Sequence, residues 1–411
     1  MFPNDDARSV GRLQGVRILD LTRLLPGDYC TLLMADMGAE VIKVEDLPQG
    51  DYVRWMPPLV GRYGAYFHAL NAGKKSIGLN LKSEDGRRVF LKIAERCDVL
   101  IESFRPGVMA SLGVDYATVQ KVQPRIIYCS LTGYGQSGPY RSRAGHDVNY
   151  VGLAGLLTPP RAAENDAEPA HDLPRAAVAD IGGSYAAAFS IAAALYARHQ
   201  SGHGAYLDIA LTEAALTFAI PRLVRAACMQ AGQPIPALQG EELSGSFACY
   251  NIYRTADGKY VTLGAREPKF WKAFLTVAGR HDLLEAQYDP SRQAELTRIV
   301  AGIFLERPQK EWLELLGEKA DACCEPLQEG SEVLRHPQLQ ARQLFSYNSV
   351  GDSSVLQVAT PSGTRPPRRP PAPGYGEHTA EVLAACGFSH DEIAQLSQAG
   401  VVLLQDCHNA P

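Results

Sequence analysis

The sequence has no pair of cysteines at the spacing of a zinc site or a redox motif. Its nine cysteines form no C-x-x-C pair, and their odd number disfavours a complete disulfide framework. Cys323 and Cys324 are adjacent, a spacing that suits neither a metal ion nor an easy disulfide. We therefore predict reduced thiols packed as small hydrophobic side chains, and no metal site.

Long apolar runs and an excess of positive charge are also lacking. No run approaches the ~20 residues of a membrane span, and the polar segment Met1–Arg12 lacks the apolar stretch of a signal peptide. The formal net charge is −5, so the overall field attracts neither nucleic acid nor an anionic membrane. We expect a cytoplasmic protein that binds neither, in which any anionic ligand is held by local basic groups.

Several enzyme motifs are absent as well. Without a Walker A loop, H-E-x-x-H or G-x-S-x-G, the sequence gives no support to nucleotide hydrolysis, zinc proteolysis or serine esterase chemistry. The stretch GYGQSG at 133–138 does match G-x-G-x-x-G after a predicted strand. However, Pro139 and the basic stretch Arg141–Arg143 follow it in place of a long helix, and no acidic residue lies about 20 positions on to bind a ribose. We interpret it as a structural glycine turn that a ligand could approach closely.

The residues that are present alternate between strand and helix patterns. A chain of 411 residues with 46% hydrophobic residues favours a globular protein of two domains. The predicted strands are Val16–Leu21, Glu40–Glu45, Ser76–Leu81, Val99–Glu102, Ile126–Leu131 and Ala205–Leu211. The predicted helices among them are Tyr29–Met37, Ser83–Ala94, Val114–Val122 and the alanine-rich Gly183–Arg198. This order predicts a parallel sheet covered by helices.

The pattern changes after Pro221. Two short strands flank Asp257-Gly258, a strong hairpin signal, and helical stretches follow, which predicts a smaller α+β domain. The segment Thr360–Gly376 is rich in proline and arginine and predicts an extended arm. Two short helices are predicted in Glu377–Val402.

Three short segments combine titratable groups with glycine in apolar surroundings. They are AGHDVNY at 144–150, VADIGGS at 178–184 and LGAREPK at 263–269, and they contain His146, Asp180 and Glu267. Each residue has an ordinary alternative role. Asp180 could cap the following helix, His146 could be a hydrogen-bonded structural histidine, and Glu267 could be favoured by a helix N-terminus. Only the combination of the three indicates a catalytic site.

From Leu13 to Val402 the chain resembles the class III CoA-transferase (CaiB/BaiF) family, which also contains the α-methylacyl-CoA racemases. The resemblance rests on LTRLLPGDYC, ADMGAEVIKVE, NAGKKSIGLNLKSEDGR, DVLIESFRPGV, IYCSLTGYGQSGPY, HPQLQARQLF and GEHTAEVL. It implies an α/β fold with a large Rossmann-like domain formed by both chain ends (1–222 and 329–411). It also implies an inserted smaller α+β domain (223–328), an interlocked homodimer, and an acyl-CoA substrate without a prosthetic group. The proline-rich arm is compatible with a segment that reaches across a partner, and equally with a loose linker.

The resemblance also suggests catalytic roles. AGHDVNY and VADIGG match the histidine and aspartate that flank the substrate α-carbon in the racemases, which gives those roles to His146 and Asp180. GAREPKFW resembles the racemase segment whose glutamate supports the histidine, which gives that role to Glu267. Removing the weakly acidic α-proton of a thioester needs a positioned base, and racemisation needs a second acid on the opposite face. Backbone N–H groups of Gly182 and Gly183 could stabilise the enolate.

The CoA-transferases of the same family use the aspartate alone. It acts as a nucleophile that forms an acyl anhydride and then an aspartyl-CoA thioester, so Asp180 fits both reactions. His146 favours the racemase, whereas the segment 50–67 is longer than in the typical racemase and resembles the transferases. We predict the racemase reaction, with CoA transfer as the alternative.

For CoA, the resemblance assigns further residues to binding. Lys43, Lys75 and Arg105 would contact phosphates, Leu79 and Leu81 would flank the adenine, and Asp147 and Tyr150 would line the channel toward the thioester. Lys43 and Lys75 could equally be solvated surface charges. Arg105 is the stronger candidate, because a guanidinium can bind phosphate with two parallel hydrogen bonds.

Overall fold

The structure is a computed structural model that describes residues 11–157, 175–234, 243–361 and 369–405. The chain divides into two compact units, one of residues 1–218 with 342–411 and one of residues 219–341. We call them the large unit and the small unit. The small unit starts four residues before the predicted boundary at 223 and ends 13 residues after the predicted boundary at 328. The extra C-terminal part contains two short helical segments, Gly330–Arg335 and Pro337–Ala341.

The strands of the described residues are short and separated mainly by helices. In chain order they are β1 (Arg17–Leu21), β2 (Glu40–Glu45), β3 (Leu59–Val60), β4 (Tyr63–Gly64), β5 (Lys75–Leu79), β6 (Val99–Glu102), β7 (Ile127–Thr132), β8 (Ala205–Ala210), β9 (Tyr250–Arg254), β10 (Tyr260–Gly264), β11 (Cys324–Pro326), β12 (Phe345–Val350), β13 (Ser353–Val358) and β14 (Val402–Leu403).

The α-helices of the same residues are α1 (Leu24–Asp36), α2 (Ala65–Leu70), α3 (Glu84–Ala94), α4 (Val108–Ser111), α5 (Tyr116–Val122), α6 (Asp147–Leu153), α7 (Val178–Ser201), α8 (Leu211–Phe218), α9 (Ile220–Gln230), α10 (Pro268–Val277), α11 (Gln293–Phe304), α12 (Gln309–Trp312), α13 (Pro337–Ala341), α14 (Thr379–Ala385) and α15 (His390–Gln398). Shorter 3₁₀ or π segments lie at Tyr52–Trp55, His281–Ala286, Leu313–Lys319 and Gly330–Arg335.

The large unit is built on a seven-stranded sheet in the order β14-β5-β2-β1-β6-β7-β8. All neighbouring strands are parallel except β14, which pairs antiparallel with β5. Helices cover both faces, so central strand residues such as Ile18 and Leu19 are fully buried. The predicted α/β class with a parallel sheet is confirmed. Apart from β14, the strand order is that of a Rossmann fold.

The strand order changes direction at β1. From β1 the chain proceeds through β2 to β5 on one side, and from β6 through β7 to β8 on the other. The turns that follow β1 and β6 therefore run in opposite directions from the carboxyl ends of these strands, and a crevice lies between them. Ligands of open α/β sheets bind at such a point, which is where the candidate residues of the large unit are found.

The helix α7 begins at Val178, five residues before the predicted Gly183. Glycine pairs often mark helix boundaries, but here a Cβ on Gly183 would lie 2.2 Å from Leu211 Cδ2, so the glycine allows α8 to pack closely. One face of α7 is buried and the other leaves Phe189 77% and Tyr196 69% exposed. By length and hydropathy α7 meets the criteria for a membrane-spanning helix, the one helix of the described residues to do so. Core helices of globular proteins meet the same criteria.

The small unit has its own sheet and core. Its three strands run antiparallel in the order β11-β10-β9, and the predicted hairpin turn between β9 and β10 contains Gly258 at φ +80°. Stacked aromatic rings fill the core, with ring centroids 5.4 Å apart for Trp271 and Phe274 and 5.5 Å apart for Phe274 and Phe304. This unit is therefore an α+β structure with an independent hydrophobic core.

The described ends of the proline-rich segment are fixed to the large unit. Arg369 Nε donates to Asp36 Oδ1 at 2.7 Å, and both side chains are nearly fully buried. Arg54, also buried, donates to Pro373 O at 3.0 Å and lies 3.8 Å from the ring centroid of Phe67. Residues 362–368 of the predicted arm lie outside the described residues. On the other side of them, the buried Thr360 hydroxyl donates to Asp36 Oδ2, so both described ends are packed rather than loose.

The cysteines of the described residues are free thiols. Six of these eight are buried, and Cys228 and Cys323 are partly exposed. Cys407 lies outside the described residues. The burial fits the predicted role of cysteine as a small hydrophobic side chain.

Candidate active site

A cavity of about 310 Å³ opens at the carboxyl end of the large sheet. Its wall comes from the turns after β1 and β6, the loop after β7, and the starts of α6, α7 and α8. The lining residues are Arg23, Leu24, Pro26, Ser103, Phe104, Arg105, Pro106, Leu131, Thr132, Gly133, Tyr134, Arg141, Arg143, Ala144, Gly145, His146, Tyr150, Asp180 and Leu211. All of them belong to the large unit.

The cavity brings together His146 and Asp180, two of the residues identified from the sequence. His146 is exposed and directly precedes α6, where its backbone N–H donates to Asn149 Oδ1 at 3.0 Å. Asp180 is half-buried in the first turn of α7. A hydrogen bond of 3.0 Å from the Asp180 N–H to Asp147 Oδ1 joins the starts of the two helices. The two titratable side chains thus reach one cavity from separate, linked elements.

Burial, and to a smaller extent the negative charge of Asp147, raise the pKa of Asp180 to about 6, while the nearby His146 opposes the shift. A carboxyl group with a pKa of about 6 is partly protonated just below neutral pH. It can therefore both accept and return a proton there, as general acid–base catalysis requires. Perturbed carboxyl groups of this kind are concentrated at functional sites.

The alternative role of Asp180 as a helix cap does not match its position. The N-cap of α7 is Ala177, and Asp180 lies three residues into the helix, where its own backbone N–H donates to the Asp147 side chain. The same shift in helix start corrects the assignment of Gly182 and Gly183 as enolate donors. Ile181 N–H already bonds to Ala177 O, so both glycines lie beyond it, where N–H groups bond to carbonyls of the preceding turn.

Tyr150 packs deeply beside the glycine turn. Its hydroxyl donates to Gly145 O at 2.6 Å, and burial raises the pKa of Tyr150 to about 12. A Cβ on Gly133 would lie 2.5 Å from the Tyr150 hydroxyl oxygen. The turn is thus packed closely against the Tyr150 ring, and Gly135 and Gly138 adopt the left-handed φ values of +80° and +79°. The approach of a ligand to this turn stays a prediction.

Four arginines line the cavity, against one carboxylate, Asp180. Arg105, Arg141 and Arg143 are exposed and form no ion pair within the described ranges. Arg23 is held by Asp46 at 2.8 Å and lies 5.2 Å from the ring centroids of both Tyr52 and Phe104. The wall is therefore strongly cationic in a chain of net charge −5. It can bind an anionic ligand.

Sequence reasoning missed three of these arginines: Arg23, Arg141 and Arg143. In the sequence, Arg141 and Arg143 counted only as evidence against a dinucleotide-binding site. A signal was present, because both precede His146 by five residues or fewer. Arg23 gave no comparable signal.

Lys43 requires a correction. The sequence assigned it to phosphate or to the solvated surface, but its side chain is fully buried on β2. Its Nζ lies 2.6 Å from Asp28 Oδ1 and 2.8 Å from Asp51 Oδ2. A strand in the middle of a covered parallel sheet has no solvent-facing side, so Lys43 cannot reach a ligand from there.

The adenine contacts assigned to Leu79 and Leu81 are corrected by the burial of both side chains, whereas the roles assigned to Lys75 and Asp147 stay predictions. Leu79 and Leu81 belong to a buried hydrophobic cluster, which leaves them no surface against which an adenine could stack. Lys75 is partly exposed but forms ion pairs of 2.7 Å with both Glu40 and Glu381. These carboxylates already neutralise it. Asp147 is not part of the cavity wall, and its visible role is the hydrogen bond from Asp180 N–H.

Glu267 belongs to the small unit, where it is exposed and directly precedes α10. Its carbonyl accepts the first hydrogen bonds of that helix, but its side chain makes no capping hydrogen bond. The position of Glu267 at the N-terminus of α10 fits its alternative role, in which the helix N-terminus favours a negative charge. Its role beside His146 stays a prediction.

Comparison with known proteins identifies the family. Residues 13–379 match the profile of CoA-transferase family III. The α-methylacyl-CoA racemase of Homo sapiens is 34% identical over 401 residues, 95% of this chain and 97% of that protein. Succinyl-CoA:glutarate CoA-transferase of Mus musculus is 32% identical over 414 residues, 97% of this chain and 92% of that protein. A CaiB/BaiF family protein from Brucella suis has a similar fold, with a TM-score of 0.73 at 27% identity over 91% of this chain and 99% of that chain. The chain therefore belongs to CoA-transferase family III, whose enzymes act on CoA thioesters.

Proposed function

We propose that this enzyme interconverts the two epimers of a 2-methylacyl-CoA by moving the α-proton between Asp180 and His146. The observation that carries the proposal is that both side chains line one cavity, with the pKa of Asp180 raised to about 6. A carboxylate removes the α-proton from one face, and a protonated imidazole supplies a proton to the other face. The reverse reaction starts from the neutral imidazole and the protonated carboxyl group.

The same cavity offers groups for the CoA portion. In this proposal Arg105, together with Arg23, Arg141 and Arg143, binds the phosphates, because a guanidinium matches phosphate oxygens with parallel hydrogen bonds. The apolar part of the wall includes Leu24, Pro26 and Leu211. They reduce the access of water to the reacting carbon, which strengthens the electrostatic interactions of the catalytic pair.

A second candidate function is CoA transfer between carboxylic acids. It is favoured by the succinyl-CoA:glutarate CoA-transferase of Mus musculus, which matches 97% of this chain at an identity close to that of the racemase. In this reaction Asp180 would attack the thioester carbonyl to form an anhydride and release CoA thiolate. The thiolate would then attack the aspartyl carbonyl of the anhydride, which gives an aspartyl-CoA thioester and releases the first acid as its carboxylate. A second carboxylate would attack this thioester to form a new anhydride, and the released thiolate would attack its acyl carbonyl, which gives the new acyl-CoA and regenerates the Asp180 carboxylate. His146 would have no required role.

The experiment that tests the proposal uses each pure epimer of a 2-methylacyl-CoA in deuterium oxide. We expect incorporation of one α-deuterium and convergence of both samples on the same mixture of epimers, measured by mass spectrometry and chiral chromatography. Absence of exchange, with a CoA adduct trapped on Asp180 by hydroxylamine or borohydride, would overturn the racemase proposal and establish the transferase.

The charge of Asp147 gives a pH-dependent prediction. In Asp147→Asn the amide oxygen can still accept the Asp180 N–H, but the negative charge that helps to raise the Asp180 pKa is gone. Asp180 must be ionised to act as the base, so the rate rises with pH through its pKa. We expect the acid limb of the kcat profile to move below pH 6, but to stay above the ordinary aspartate range because burial is the larger cause. An unmoved acid limb would show that Asp147 does not tune this group.

We also propose that the enzyme is a homodimer, interlocked as the family resemblance implies. The exposed face of α7 supports this, since Tyr185, Phe189 and Tyr196 lie along it, and Leu216 and Phe218 of α8 are exposed as well. Exposed apolar surface of this extent is typical of a protein interface. A second copy of the chain would bury it.

A further inference from the structure

The turn between β1 and α1 holds an unusual backbone conformation against the candidate site. We call residues Thr22–Pro26 the β1–α1 turn; they join the two elements and include the first residues of α1. Its members Arg23, Leu24 and Pro26 line the cavity. Leu24 has φ +65°, in the left-handed region that a leucine rarely adopts. Such a conformation persists only where the surrounding structure fixes it.

Buried charges fix the turn from the side of the sheet. Asp20 Oδ1 accepts from the Thr22 N–H at 2.9 Å and from its hydroxyl at 2.6 Å. Lys43 Nζ donates to Thr22 O at 3.0 Å. Asp51 Oδ1 accepts from Leu24 N–H at 3.4 Å. Asp20, Lys43 and Asp51 are all buried, so this side of the turn is anchored in a region without solvent.

One hydroxyl fixes the turn from the side of α7. Ser184 Oγ lies 2.7 Å from Pro26 O and 2.7 Å from Asp180 O, and the serine is fully buried. Ser184 follows Asp180 by four residues and so lies one helical turn along the same face. The single hydroxyl proton of Ser184 is thus shared between Pro26 O, in the cavity wall, and the backbone carbonyl of Asp180.

We propose that Ser184 is a positioning residue that clamps the β1–α1 turn to the helix turn that bears Asp180. The clamp holds Pro26 against the start of α7, which keeps water away from the Asp180 carboxyl group and fixes its distance to the cavity wall. The role rests on the proposed function of Asp180, although it serves CoA transfer through the same carboxylate equally well. It does not involve contact between Ser184 and the substrate, because Ser184 is absent from the cavity wall.

The test is Ser184→Ala, with Ser184→Thr as the conservative variant, since a threonine hydroxyl in a helix can still bond to the carbonyl four residues earlier. We expect Ser184→Ala to lower kcat for α-proton exchange by about 10-fold or more with KM changed less than about twofold, because small misplacements of reacting groups are costly. We expect Ser184→Thr to restore much of the rate. Ser190→Ala on the same helix is the matched control, because the Ser190 hydroxyl makes no hydrogen bond with the described residues, and it should behave as wild type.

A second readout needs no substrate. The pH dependence of Asp180 modification by a water-soluble carbodiimide with glycinamide, followed by peptide mass spectrometry, reports the ionisation of that carboxyl group. We expect the Asp180 midpoint in Ser184→Ala to fall toward the ordinary aspartate value, since water then reaches the side chain. An unchanged Asp180 midpoint overturns the proposal even if kcat falls, because a purely structural defect would also lower kcat. If the wild-type enzyme shows no exchange, the racemase proposal fails, while the titration still decides the role of Ser184.

Discussion

Asp180→Asn and His146→Gln are each expected to lower the rate of epimerisation by about 10³-fold, while each variant still exchanges the α-proton of one epimer. Each variant keeps one of the two proton-transferring groups. The remaining group can remove and return the proton on its own face but cannot deliver one to the opposite face. The two variants should therefore exchange opposite epimers, with retention of configuration.

The measurement uses the separate epimers in deuterium oxide, with deuterium content and configuration determined for each product. His199→Gln is the matched control for the histidine substitution, since His199 is exposed near the end of α7 and is not part of the cavity wall. It should retain the wild-type rate. If instead His146→Gln retained full activity with an acceptor acid and Asp180→Asn lost all activity, Asp180 would act as a nucleophile and the enzyme would transfer CoA.

Lys43→Met is expected to lower the free energy of unfolding by about 3–5 kcal/mol, because it removes the cation paired with buried Asp51 and leaves buried Asp28 only the more distant Lys74, at 3.8 Å. Lys43 Nζ lies within 2.8 Å of carboxylate oxygens of Asp28 and Asp51, and all three side chains are buried. The methionine keeps the length of the side chain but not its charge. Lys75→Met is the matched control, since Lys75 also contacts two carboxylates but at a partly exposed position. It should cost less than about 1 kcal/mol.

The loss of stability in Lys43→Met should depend on pH. Burial and the charge of Asp51 raise the pKa of Asp28 to about 7, and Lys43 opposes this rise, so its removal raises that pKa further. A carboxyl group whose pKa is higher in the folded state stabilises the fold at acid pH and loses this effect as pH rises through the folded pKa. Urea unfolding of Lys43→Met and the wild type should therefore show a larger loss in the free energy of unfolding at pH 8 than at pH 5.

If Lys43→Met and Lys75→Met lost the same free energy of unfolding, the argument from the buried ion pair would be contradicted.

Sequence pattern was sufficient to predict the sheet but not the environment of individual charges on it. The run EVIKVE predicts β2 correctly, and an isolated lysine in such a run suggests a surface position. The structure buries Lys43 because β2 lies inside the sheet, between β5 and β1, where both faces are covered. Strand order is a tertiary property that no local pattern contains. The error at Leu79 on β5 has the same origin.

The catalytic pair and the cationic wall differ in how far a sequence can predict them. His146 and Asp180 occur in compact segments with glycine, which family resemblance could interpret. The wall combines Arg23 and Arg105 from the turns after two different strands with Arg141 and Arg143 from a third segment. Their convergence follows from the order of β1, β6 and β7 in the sheet. It could be predicted only after the topology was known.

The return of the chain to the large sheet has a consequence for biosynthesis. The small unit is one continuous stretch, residues 219–341, whereas the large unit needs residues 342–411 as well. The small unit can therefore fold on the ribosome before the large unit is complete. At that stage the large unit still lacks Arg369, which neutralises Asp36, and β14, which covers the edge of β5. Until β14 (Val402–Leu403) is synthesised, β5 presents an unpaired strand edge, the kind of surface on which nascent chains associate wrongly. A ribosome that stalls between residue 341 and Arg369 would thus release a chain with a complete small unit and an unfinished, aggregation-prone large one.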